Sequence, residues 1–134
     1  MILYSASKTE FSKDIVSNQI EQRLLSAFET RLGRKTGKSE IESWKNSLNY
    51  MHNLVLDPEI PEDVNVALEY KIPNTSRRID FIISGQDANR KDSLVIVELK
   101  QWTEATKTNL DGIVETRLGG ATRQTTHPAY QAWT

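Results

Sequence analysis

The chain of 134 residues fits one domain that needs no covalent staples, since folding at this size buries roughly 65–70% of the surface exposed by the unfolded chain. It has no cysteine, which excludes a disulfide framework and a thiolate metal site and fits a reducing compartment such as the cytoplasm. With 17 basic and 18 acidic residues the net charge is -1, so a histone-like basic binder is excluded and any nucleic-acid contact must be local; no apolar run approaches the ~20 residues of a membrane span.

In chain order, the first segment reads as helical, with Ser7 and Glu10 at capping-box spacing ahead of Phe11, Ile15 and Val16; Ser17-Asn18 interrupts it. Ile20, Leu24, Leu25, Phe28 and Leu32 then recur at helical spacing, with Gly33 as the expected stop. Residues 31–38 are basic and hold two glycines, which predicts a surface loop. Ser39 and Glu42 repeat the capping-box spacing. Ile41, Trp44, Leu48, Met51 and Val55 give the helix that follows one apolar stripe, ending near Asp57-Pro58 because a residue before proline is pushed out of the α region.

The period then changes from helical to two. Val64, Val66, Leu68, Tyr70 and Ile72 alternate with Asn65, Ala67, Glu69 and Lys71, the pattern of a half-buried strand, and Pro73-Asn74-Thr75-Ser76 supplies a turn. Arg-Arg-Ile-Asp-Phe-Ile-Ile-Ser-Gly from Arg77 and Leu-Val-Ile-Val-Glu-Leu-Lys-Gln-Trp to Trp102 flank the polar loop 85–92 and predict a hairpin. Residues 103–111 carry no clear element. Residues 113–118, followed by Gly119-Gly120, read as a short strand or an extended arm, and Thr126 or His127 ahead of Pro128 marks the start of a final helix from Ala129. The expected organisation is a single domain over 1–134: a helical part at 1–57, strands and site at 64–102, and an arm with the start of the last helix at 111–134.

The hairpin carries charge inside apolar runs. If it closes symmetrically, Asp80 falls opposite Glu98 with Cβ atoms ~4.5–5.5 Å apart, and Lys100 shares the face of Glu98. Two such carboxylates must protonate, splay apart or share a cation, and hard oxygen donors suit Mg²⁺ or Mn²⁺. A lysine beside them can hold a water or offset phosphoryl charge, which is the chemistry of metal-dependent phosphodiester hydrolysis. The same three side chains also read as a salt-bridge network at a sheet edge.

A helix, a strand, a strand bearing Asp80 and a strand bearing Glu98-Leu99-Lys100 together resemble the PD-(D/E)XK nuclease superfamily. Glu69-Tyr70-Lys71-Ile72-Pro73, residues 76–85 and 97–102, Asp111-Gly112-Ile113-Val114 and His127-Pro128-Ala129-Tyr130-Gln131-Ala132-Trp133 resemble the N-terminal region of bacterial Schlafen group 3-like helicase or ATPase proteins. The resemblance implies an α/β (α+β) fold with an αβββαβ core, its N-terminal helices packed on a three-stranded, largely antiparallel sheet. It implies Asp80 and Glu98 as metal ligands, Lys100 as the catalytic lysine and Gln131 as a residue positioning water or substrate. It also implies a DNA substrate before RNA, and an ATPase or helicase module as companion. The tyrosine of the QxxxY motif would fall one position past Thr134, so the last core strand is expected to be missing, leaving an open sheet edge suited to homo-oligomers.

The remaining candidates each carry two readings. Glu21 is a further site carboxylate, or the capping-box partner of Asn18. Glu69 is a supporting group beside the site or a solvated residue. Arg77 and Arg78 bind a phosphate backbone or sit in an exposed turn. His127 carries a proton or caps the final helix, and the carbonyl of Leu99 reaches the metal. Trp44 belongs to the core, whereas Trp102 and Trp133 either pack or stack on bases. A metal-dependent endonuclease is the first expectation, and a non-catalytic module that binds nucleic acid or protein is the second.

Overall fold

The computed structural model describes residues 1–33 and 35–133, which divide into two compact units, Met1–Val97 and Glu98–Thr134. The fold is mixed α/β with two antiparallel sheets. Among the described residues no helix is long and apolar enough to cross a membrane.

The first unit runs β1 (Ile2–Ser7), α1 (Lys8–Val16), α2 (Ile20–Leu32), α3 (Lys38–Val55), β2 (Asn65–Lys71), β3 (Arg78–Gln86) and β4 (Asp92–Val97). Its sheet has four strands in the order β1-β2-β3-β4, one more than the sequence suggests, because the opening segment is a strand and the helix begins only at Lys8. Local pattern hides β1: its backbone groups are satisfied by a ladder with β2, about sixty residues away, in which Tyr4 meets Leu68 and Ala6 meets Val66. Ser7 ends the strand and starts the helix, its hydroxyl accepting from Glu10 N at 3.2 Å.

The other helices follow their stripes. Ile20, Leu24 and Phe28 of α2 and Trp44, Leu48, Met51 and Val55 of α3 are buried, and Gly33 closes α2 at φ 65°. Neither of the other two expected capping boxes forms. In α2 the cap is Gln19 with no side-chain bond, and Asn18 turns the chain at φ 55°. In α3 the helix starts one residue before Ser39, capped by Gly37, whose carbonyl accepts from Ile41 N, while Glu40 takes a 2.6 Å bond from Thr36 Oγ1.

At the centre of this unit Phe11 is fully buried, its ring edge-on to Phe81 at 5.7 Å and to Tyr4 at 6.4 Å. Such pairs contribute about 0.5–1.5 kcal/mol each beyond the area they bury. Buried Asp14 accepts from the Tyr4 phenol at 2.7 Å and pairs with Arg23 at 3.0 Å. Burial, and then the Asp14 carboxylate, push the Tyr4 phenol well above its ordinary range.

The second unit holds β5 (Thr106–Lys107), β6 (Ile113–Leu118), β7 (Ala121–Thr126) and α4 (Pro128–Trp133), its three strands ordered β5-β6-β7. Residues 113–118 are thus a strand. Gly119 at φ 58° and Gly120 at φ 81° form a two-residue turn that pairs Leu118 with Ala121. The polar run Ala-Thr-Arg-Gln-Thr-Thr gives β7 no apolar alternation, and it exists through its ladder with β6. His127 Nδ1 accepts from Ala129 N at 3.1 Å, so the imidazole caps α4.

Candidate active site

The central strand β2 carries an irregularity that no sequence pattern announces. Glu69 has φ 53°, a left-handed backbone that non-glycine residues seldom adopt. Leu68 meets Phe81 and Tyr70 meets Ile79, so the register is kept across the kink while Glu69 itself drops out of the ladders on both sides. By that register Glu69 stands level with Asp80. The alternation fails here too, since Leu68 and Glu69 are both buried.

The kink hands the Glu69 carboxylate to two donors. Trp44 Nε1 of α3 donates to Oε1 at 3.1 Å, and Arg78 Nη1 lies 3.0 Å from Oε2. The same guanidinium reaches Glu40 Oε1 from both Nη atoms at 3.2 Å and lies 5.8 Å from the centre of the Phe28 ring. Thr36, Glu40, Arg78, Glu69 and Trp44 therefore form one chain of contacts. Burial raises the Glu69 pKa; Arg78 and Trp44 oppose that rise, and the field of Asp80 adds to it. A buried carboxyl of raised pKa beside a second carboxylate suits either proton transfer or a shared cation.

Asp80 is half-buried in β3. The β3–β4 hairpin closes without a slip, from Gln86 with Asp92 to Phe81 with Val97. Strand β4 stops at Val97 rather than continuing to Trp102.

In the second unit Lys100 Nζ lies 2.7 Å from Glu98 Oε1, so those two residues do meet. Leu99 between them is half-buried. Tyr130 donates to Asp111 Oδ2 at 2.6 Å, and that bond holds its phenol above the ordinary range. Its ring covers Gly112, where an added Cβ would fall 3.0 Å from ring carbons. Lys107, Asp111, Gly112, His127 and Tyr130 line an open cleft of about 550 Å³.

The other sequence candidates are dispersed. Glu21 sits half-buried in the first turn of α2, Arg77 is exposed ahead of β3, and Gln131 is exposed on α4. Arg78 is not the exposed turn residue of the sequence reading, being tied to two carboxylates. Trp44 is buried, Trp102 half-buried and Trp133 fully open on α4. Among the described residues no three His, Cys, Asp or Glu side chains are grouped to hold a metal. The sequence placed Glu69 on the polar side of its strand and left its role open. A carboxylate inside an alternating strand was the one visible signal.

No family model, curated protein or solved structure matches this chain.

Proposed function

We propose that this chain is a metal-dependent nuclease-like domain that hydrolyses phosphodiester bonds, with DNA as the first substrate to test. The observation that carries the reading is the register of β3 and β4: Phe81 pairs with Val97, Asp80 precedes Phe81, and Glu98 follows Val97. The reading requires the ladder to extend by one pair. Mg²⁺ and Mn²⁺ bind through one or two carboxylates and complete their shell with water and substrate phosphate, so the donor set is of a fitting kind. Asp80, Glu98 and the carbonyl of Leu99 would hold the ion, which supplies Lewis-acid polarisation of the phosphoryl group. Lys100 offsets charge on the phosphoryl oxygens or holds the attacking water, and Glu69, fixed by Trp44 and Arg78, sets the field around Asp80. Gln131 orients water or substrate, and Glu21 is a lesser candidate. Arg77 and His127 contact the phosphate backbone.

The test incubates purified protein with supercoiled plasmid and Mg²⁺ or Mn²⁺, comparing wild type with Asp80→Ala and Lys100→Ala. Nicking by wild type that both variants lose supports the proposal; nicking that survives both removes it. The Lys100–Glu98 ion pair favours a second reading, a non-catalytic module for nucleic acid or protein, because it already occupies a carboxylate. Calorimetric titration separates the two, since the module takes up no Mg²⁺ or Mn²⁺ at millimolar concentration. A cytoplasmic location and a companion ATPase module belong to the same proposal.

A further inference from the structure

The second unit holds a cleft that shares no residue with the proposed metal site. It measures about 550 Å³, within the roughly 300–1,000 Å³ of small-ligand sites, and lies between the end of β5, the turn that leads into β6 and the start of α4. Its walls are fixed by hydrogen bonds. Thr108 Oγ1 donates to the Ile113 carbonyl at 2.7 Å and accepts from Leu110 N at 3.1 Å, and His127 N donates to the Gly112 carbonyl at 2.7 Å.

Three kinds of group line it. The Tyr130 ring lies on Gly112, with three ring carbons each 3.0 Å from where a Cβ would stand, and its hydroxyl is held by Asp111 at 2.6 Å. A ring fixed in this way while the residue stays 43% exposed is a preformed surface for another planar ring. Lys107 and His127, both exposed, supply a cation and a donor: because His127 Nδ1 accepts from Ala129 N, the imidazole hydrogen is on Nε2. That bond also consumes the first amide of α4, so the donors are side chains and not the helix terminus. Asp111 is exposed as well, and with Oδ2 taken by Tyr130 its other oxygen accepts N–H or O–H groups.

We infer that this cleft binds a nucleotide, its base stacked on Tyr130 and read by Asp111, its phosphate held by Lys107 and His127 Nε2. A bare anion would meet the Asp111 carboxylate, and an uncharged aromatic compound would leave Lys107 and His127 facing water. A nucleotide answers all three kinds of group, because it joins a planar base with N–H donors to an anionic phosphate. A base inside a duplex has its faces and its pairing edge covered, so the occupant is a free nucleotide or an unpaired residue of a single strand. None of the cleft residues is a metal ligand of the cleavage reading, so the inference stands whether or not the chain cuts DNA. All four side chains are exposed, so the affinity is modest.

Amide NMR titrations of the whole chain with deoxyadenosine monophosphate, deoxyadenosine, phenyl phosphate and inorganic phosphate test it. The expected result is that the millimolar nucleotide moves the amides of Lys107, Asp111, Gly112 and His127, while deoxyadenosine and inorganic phosphate each bind about tenfold more weakly or worse. Lys107→Gln, at an exposed position, should bring the nucleotide down to the affinity of the nucleoside. Tyr130→Leu should weaken the nucleotide about tenfold, the order of factor that stacking on one aromatic ring supplies. Unchanged amide shifts in β6 and β7 verify the fold of each variant. Displacement of the nucleotide by a short oligodeoxyadenylate assigns the cleft to a single strand, and binding that the oligonucleotide does not disturb assigns it to a free nucleotide. Amides that stay unmoved by the nucleotide overturn the inference. So does phenyl phosphate that binds as tightly as the nucleotide, because then only a ring and an anion are read, and so does equal nucleotide binding by wild type and Lys107→Gln.

Discussion

Arg78 lies between two carboxylates, with Nη1 3.0 Å from Glu69 Oε2 and both Nη atoms 3.2 Å from Glu40 Oε1. This one guanidinium ties the start of β3 to α3 and to the kinked residue of β2. It also stabilises a buried negative charge on a backbone conformation that costs of order 1–3 kcal/mol by itself.

Removing that cation while keeping its bulk isolates the Glu69 carboxylate. Breaking a fully buried pair costs about 3–5 kcal/mol, and the Arg78 side chain is 31% exposed, so Arg78→Met is expected to cost about 1–3 kcal/mol. Urea denaturation measures it. In the Glu69→Gln background most of that cost should disappear, because the orphaned charge has gone, and a cycle of the four proteins gives the coupling directly.

Stability should also depend on pH through Glu69. Its folded-state pKa is raised above the ordinary 4.5, so the folded state holds the proton more tightly than the unfolded chain does. The resulting contribution favours folding in full below 4.5 and is lost as pH rises through the folded value. Over that window wild type is expected to lose stability relative to Glu69→Gln, read from denaturation midpoints at a series of pH values; a gain instead of a loss would falsify the assignment. Asp80→Asn removes a charge that raises the Glu69 pKa, so carboxyl NMR titration should show it falling.

Gly112→Ala tests the second unit. The residue has φ +67°, and an added Cβ would lie 3.0 Å from three carbons of the Tyr130 ring. Left-handed strain and displacement of the ring together should cost about 1–3 kcal/mol. The Tyr130–Asp111 bond should loosen with it, which the Tyr130 ring resonances report. Unchanged ring shifts would mean that Tyr130 does not sit on Gly112 in solution.

Ser7→Ala removes the hydroxyl that accepts from Glu10 N where β1 passes into α1. Loss of an N-cap costs about 1 kcal/mol, and Ser7→Gly should recover most of it. Thermal unfolding of the two variants makes the comparison.

The three long helices and the succession of β2, β3 and β4 are written in local periodicity: apolar residues every three to four positions in α2 and α3, and every second position around Val66 and Leu68. Turn chemistry at Pro73-Asn74 was legible for the same local reason, whereas the cap of the last helix was narrowed only to Thr126 or His127, and the bond from Ala129 N to His127 Nδ1 decided it. The hairpin register stayed open in the sequence, because both faces of β3 carry apolar residues, and it was decided by the ladder that runs from Gln86 with Asp92 to Phe81 with Val97. That Ile2–Ser7 is a strand emerges only on folding, because its ladder is made with residues distant in the chain. Tertiary contacts likewise decided that Glu69 is buried at positive φ, since nothing in a glutamate foretells a backbone held by Trp44 and Arg78. The exposure of Leu94, Val95 and Ile96 belongs to the same class: four aliphatic residues in a row forecast burial, and whether any neighbour covers them is a property of the assembled sheet.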